Sequence, residues 1–329
     1  IEASVELPSF VTVAFRLTDT SGRGLNVPND IVTGDQFFEV FEDSQPLSPS
    51  ESFLQVAKID EASAEIKTVL MLDNSFSVAP NLAQIKAAAK GVVAKALPGQ
   101  TFAVYSFSGS PILLQEFTAN IADLQTAIDS IGFGQPTTNL YGSAMEGLSR
   151  WNDSYTAGNV TRGFMILFTD GSDQSGINTL PQVLAARGDK QIYTIGLGNE
   201  IDSSSLNQIG NAGNYEIENV SELDSVFDNV QTEIKNDTNS FYWLNYISPK
   251  RGDNDRALTV TAKSNPYGGS GRALQVNFNS NGFTDVAPQV VINRGVFTPE
   301  GITAVTYSTP TGTTLKADTI LGIVASNNE

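Results

Sequence analysis

The chain of 329 residues contains no cysteine and no histidine. Those two absences remove disulfide bridges, thiol catalysis, zinc sites of the usual types and every mechanism that uses imidazole as a general base. Lack of cysteine fits some bacterial extracellular proteins, although it does not by itself fix a compartment. Basic side chains are also scarce: 19 Lys and Arg stand against 36 Asp and Glu, a formal charge of -17. Such a charge repels nucleic acid and anionic membrane surfaces, so neither is expected as a partner. The acid is spread rather than blocked, which reads as a well-solvated surface. No apolar run approaches the length that crosses a bilayer, and no membrane insertion is expected of this chain. The length does suffice for two compact domains, each with its own core.

What is present begins with Thr68-Val-Leu-Met-Leu-Asp-Asn-Ser-Phe-Ser77, where an apolar run enters a cluster of oxygen-bearing side chains. A buried parallel strand leaves its carboxyl end at a crevice, which is where open α/β sheets bind ligands. Asp73, Ser75 and Ser77 offer hard oxygens, suited to Mg2+, Mn2+ or Ca2+ and poorly suited to softer metals. The same DxSxS spacing would also serve a turn or a helix N-cap. Two later segments turn the balance toward metal. Gln135-Pro-Thr-Thr-Asn-Leu-Tyr141 opens a helix, and Phe164-Met-Ile-Leu-Phe-Thr-Asp-Gly171 is a second apolar strand ending in an acid.

In this order, the three segments resemble the von Willebrand factor A domain and its metal-ion-dependent adhesion site, from about Ile66 to about Lys235. The resemblance implies a ligand set of Asp73, Ser75, Ser77, Thr138 and Asp170, with Thr137 as the second candidate for the threonine. It implies an octahedral cation, Mg2+ with Ca2+ or Mn2+ as alternatives, held directly by the two serines, while Asp73 and Asp170 act directly or through water. Thr138 would join the metal when a ligand is bound. Two carboxylates roughly neutralise a divalent ion, and hydroxyls and water add no charge, so the ion stays able to take an acidic oxygen from outside.

Along the chain, residues 1–62 read as strands and turns, with Phe10 to Leu17, Phe37 to Glu42 and Phe53 to Lys58 as strands. Residues 63–238 alternate strands with helices, the pattern of a doubly wound, mostly parallel α/β sheet covered on both faces, as the resemblance also implies. Helices are expected over Asn81 to Leu97, Ile121 to Ile131, Leu140 to Trp151, Leu180 to Arg187, Ser203 to Ile209 and Glu222 to Ile234. Ile112 to Phe117 reads as an antiparallel edge strand. Asp173 reads as a turn former, and Met71, Met145 and Met165 as core filler. From 239 to 329 the pattern returns to strands separated by Gly, Asn and Pro turns. Both ends being strand-rich, they are expected to pair into one β-sandwich with the A domain inserted between them. Arg251-Gly-Asp253 spells a tripeptide recognised by some integrins, but a hairpin turn over Lys250 to Asp255 is the simpler reading.

The function these readings lead to is a non-enzymatic, cation-dependent adhesion module, extracellular, on the cell surface or periplasmic. It would capture an Asp or Glu carboxylate of a partner protein. A structural head or module of a surface fibre or pilus is the first alternative. A metal-dependent hydrolase is the second, and without histidine its base would have to be Asp, Glu, Lys or Tyr. Nucleotide-driven relatives of the A domain would need a GxxxxGK[ST] segment, which the sequence lacks.

Overall fold

The computed structural model describes residues 3–7, 9–19, 23–25, 27, 38–48, 52–58, 64–156, 159–262, 273–284, 291–298, 301–308 and 314–317. Five strands lead in: β1 (Ala3–Glu6), β2 (Phe10–Arg16), β3 (Phe38–Glu42), β4 (Gln45–Pro46) and β5 (Gln55–Lys58). Alternate residues of β2, Val11, Val13 and Phe15, are buried on one face, as a half-buried strand requires. Asp43 and Ser44 join β3 to β4 with positive φ angles of 49° and 64°, the backbone of a two-residue primed hairpin turn. Asp43 holds that turn by accepting from the Ala257 N–H at 3.0 Å.

The middle of the chain winds around β6 (Ala64–Asp73). Its apolar run is buried on both sides: Ile66, Leu70 and Leu72 enter one core, and Val69 and Met71 enter another. That division explains why the run is continuous rather than alternating. Next come helix α1 (Leu82–Ala94), strands β7 (Gln100–Phe107) and β8 (Pro111–Thr118), and helices α2 (Ile121–Asp129) and α3 (Leu140–Leu148). Strand β9 (Ser154–Thr156) pairs antiparallel with β10 (Asn159–Thr169). Helix α4 (Leu180–Arg187), β11 (Gln191–Leu197), helix α5 (Ser203–Ile209), β12 (Gly213–Ile217) and helix α6 (Leu223–Thr238) complete the unit.

The sheet order is β12-β11-β10-β6-β7-β8, parallel except for the antiparallel edge strand β8. Helices α1, α2 and α6 pack on one face, and α3, α4 and α5 on the other. In α1 the buried residues Leu82, Ile85, Ala88, Ala89, Val92 and Val93 recur at helical spacing, and the segment stops where Pro98 and Gly99 follow, Gly99 at φ 72°. Helix α4 begins with a capping box between Thr179 and Gln182. Three helices end earlier than the spacing suggests, α1 at Ala94, α2 at Asp129 and α3 at Leu148, while α6 runs on to Thr238. Met71 and Met165 are buried as expected, and Met145 packs against the same core.

Strand β13 (Phe241–Ile247) then returns to the first strands and lies between β2 and β5, pairing with β2 residues more than two hundred positions away. Strand β14 (Asp255–Ala262) pairs on one side with β15 (Leu274–Asn279) and on the other with β3. The two antiparallel sheets, β1-β2-β13-β5 and β15-β14-β3-β4, share a core of Val11, Val13, Phe38, Tyr242, Leu244 and Leu258, among others. The turn after Ile247 is therefore not a hairpin: it carries the chain from one sheet to the other. Arg251 there donates to the Ser248 and Lys250 carbonyls at 2.8 Å each, and Gly252 takes φ 86°. Strands β16 (Val291–Thr298), β17 (Gly301–Ser308) and β18 (Thr314–Ala317) form a further antiparallel sheet. Parts of the strand-rich region expected over 239–329 lie outside the described residues.

Candidate metal centre

Strand β6 ends at Asp73, and a 3-10 turn over Phe76–Asn81 carries the chain away. That bend gathers the DxSxS oxygens. The Ser75 N–H donates to Asp73 Oδ1 at 2.8 Å, the Ser75 and Ser77 hydroxyls are 3.1 Å apart, and Ser77 Oγ donates to Asp170 Oδ1 at 2.8 Å. Asp170 follows the end of β10, the strand beside β6. Four of the five expected residues are thus linked in one hydrogen-bonded chain.

The fifth, Thr138, is buried at the start of α3, and its Oγ1 lies 3.6 Å from where a Cβ on Gly171 would stand. Its carbonyl accepts from the Gln174 N–H at 2.8 Å, which ties the helix start to the loop after Asp170. Thr137 is exposed and faces Gly109 instead. Asp173 is the turn former expected, accepting from the Gly176 N–H at 3.1 Å, and it also accepts from the Tyr141 N–H at 3.1 Å in the first turn of α3.

Residues that the motif reading did not weigh hold this arrangement. Thr169 donates to Asp73 Oδ2 at 2.6 Å. Asn74 donates from its side chain to the Gly132 carbonyl at 2.9 Å and accepts from the Gly134 N–H at 2.7 Å. A Cβ on Gly134 would come within 2.8 Å of three atoms of Ser108 and Asn74, so only glycine fits. The one available signal for Thr169 was its place beside Asp170, and an isolated Thr before Asp carries no motif.

Burial pushes the Asp73 carboxyl up to about 6, although Ser75 and Thr169 donate to it, and the nearby Asp170 adds to the rise. Burial also raises Asp170, with Ser77 opposing and Glu200 adding. Among the described residues neither acid pairs with Lys or Arg. Two carboxylates and three hydroxyls without a counter-charge form a donor set of hard oxygens that fits Mg2+, Mn2+ or Ca2+. No group of three or more Asp or Glu that could hold a metal occurs among the described residues, so hydroxyls would have to share the work.

An open α/β sheet with an oxygen cluster at the carboxyl ends of its central strands defines the class. Residues 68–229 match the von Willebrand factor type A domain, and that stretch is a VWA domain. VWA domains are protein-interaction modules that bind a divalent metal at the adhesion-site motif. Proximal thread matrix protein 1 of the mussel byssus, solved with a zinc-occupied MIDAS motif, is 16% identical with a TM-score of 0.46. That match covers 60% of this chain and 50% of the mussel one, so the chain spans about half its length. A von Willebrand factor type A protein from Catenulispora acidiphila is 12% identical, covering 85% of this chain and 74% of that one, with a TM-score of 0.46. The ArnB paralog VWA2 from Sulfolobus acidocaldarius is 16% identical over 83% and 75%, with a TM-score of 0.40. No curated protein matches the chain in sequence.

Proposed function

We propose that the protein is a cation-dependent adhesion module that captures a carboxylate of a partner protein at Asp73, Ser75, Ser77, Thr138 and Asp170. The observation that carries this reading is a buried carboxylate, Asp73, bonded only to neutral donors and joined through two serines to a second acid. A divalent ion there would supply the missing charge and a vacant coordination position for an incoming Asp or Glu. The serines would hold it directly, with Asp73 and Asp170 acting directly or through water. Mg2+ is the first candidate, with Ca2+ or Mn2+ as alternatives.

A non-enzymatic role is supported by the VWA match over residues 68–229, since such domains are protein-interaction modules. A cavity of about 500 Å3, lined by Arg16, Tyr155, Arg162, Gln191 and Phe241 among others, lies at the amino ends of the parallel strands, away from the oxygen cluster. The two sheets that share one core support a β-sandwich of residues 1–62 and 239–329 around a VWA domain of 63–238. An extracellular or cell-surface location belongs to the same proposal. No helix among the described residues is long and apolar enough to cross a membrane. The chain ends, whose separation would distinguish a terminal head from a fibre module, lie outside the described residues.

Calorimetric titration with Mg2+, Ca2+ and Mn2+ tests the reading. Wild type should bind one ion, and Asp73→Ala should lose about a hundredfold or more in affinity. Equal binding by the variant would sink the assignment.

A further inference from the structure

Among the described residues the three most exposed large hydrophobic side chains all stand on the loops that carry the oxygen cluster. Phe76, Phe133 and Ile177 are 66%, 69% and 69% exposed. Phe76 lies between Ser75 and Ser77, and its N–H donates to the Gln135 carbonyl at 3.1 Å. Phe133 lies between Gly132 and Gly134, both bonded to Asn74. Ile177 follows Gly176, whose N–H is held by Asp173, the same acid that caps α3. The loops are tied to one another, so these side chains rise from a fixed platform rather than from free segments.

Single exposed hydrophobics are ordinary on a protein surface, but a group around a polar site marks a place where another molecule sits. We propose that the three side chains form an apolar rim that selects the partner's sequence: an acidic residue flanked on both sides by apolar side chains. This rests on the cation-dependent reading of the same site. Charge narrows the partner further. Glu200 already acts on Asp170 as a like charge, and the chain carries -17 overall. A second partner acid near the rim would meet repulsion from this field, whereas apolar or basic neighbours would not. The occupant is therefore one carboxylate in apolar and basic surroundings, not an acidic tract.

The test uses immobilised peptides and the intact protein with Mg2+. The probes place one Asp between two Leu, between two Ser or between two Glu, with Lys at the ends. Retention of the Leu-flanked peptide should exceed that of the Ser-flanked one by about tenfold or more, with the Glu-flanked one weakest. Phe76→Ser combined with Phe133→Ser should bring the Leu and Ser peptides within about twofold of each other while Mg2+ binding, read by calorimetry, stays unchanged. Ile177→Ser gives a second, milder variant, and thermal melts verify that each is folded. Equal retention of the Leu and Ser peptides by wild type, or no retention of either, overturns the rim while Mg2+ binding leaves the cation site standing. Retention that survives EDTA, or absence of Mg2+ binding in wild type, overturns the cation reading on which the rim depends.

Discussion

Asp73 and Asp237 are buried carboxylates at opposite ends of the α/β unit, and their surroundings differ in one respect. Asp237, in the last turn of α6, sits between Arg16 of β2 and Arg162 of β10, the latter at 3.0 Å. Arg162 also meets Asp153 at 2.5 Å. Burial works against the Arg162 charge, but Asp237, Tyr155 and Asp153 outweigh it and hold the guanidinium above its ordinary range. Asp73 has only a threonine, a serine and a backbone N–H. At the amino ends of the strands the protein neutralises its own buried acid; at the carboxyl ends the described residues give Asp73 no counter-charge. A buried charge without a partner is costly, so the difference is itself an argument for a bound cation.

The largest expected effect breaks the paired end. Asp237→Ala leaves buried Arg162 and half-buried Arg16 without their shared counter-charge and should cost about 3 to 5 kcal/mol in urea unfolding. A cost below about 1 kcal/mol would show that this network is not what balances the buried charge. The unpaired end should respond with the opposite sign. In chelator at neutral pH, Asp73→Asn should leave stability unchanged or raise it, because it removes an uncompensated charge. Mg2+ at a hundredfold excess over its Kd should add about 2.7 kcal/mol to wild type and little to the variant, as read by thermal melts.

The pH dependence sharpens the same contrast. With its folded pKa raised from 3.8 to about 6, metal-free Asp73 contributes stability that is fully present below pH 3.8 and is lost as pH rises through about 6. Cation binding needs the carboxylate, so its affinity should weaken as pH falls below about 6. An affinity independent of pH across that window would argue against Asp73 as a ligand. The smallest effect concerns a third buried acid. Glu42, in the core shared by the two antiparallel sheets, accepts from Ser248 Oγ at 2.7 Å, and burial raises its pKa above 4.5. Its stabilising contribution is present below pH 4.5 and fades as pH rises. Glu42→Gln should therefore stabilise by on the order of 1 kcal/mol at pH 7 and by little at pH 4, measured in parallel urea titrations.

Much of the α/β unit was legible from local pattern. Val69 to Leu72 carried the signature of a strand buried on both faces, and Leu180–Arg187 and Ser203–Ile209 match the expected helices residue for residue. Strand β9 was not legible, since Ser154–Thr156 is three residues long and is a strand only because β10 lies beside it. The hairpin expected over Lys250 to Asp255 failed for a related reason: a turn's residues do not reveal that the strands on either side belong to different sheets. Thr169 was missed because its hydrogen bond to Asp73 spans 96 positions.

By itself the sequence determined the periodicity of each element, the chemistry of the donor set and the sign of the overall charge, because each of these is a property of residue types and short spacings. Only the tertiary structure decided which acid received arginines and which received hydroxyls, and that three exposed hydrophobics stand on the loops of one site. Arg16, Arg162 and Asp237 are strangers along the chain, and their meeting depends on β13 returning to lie against β2.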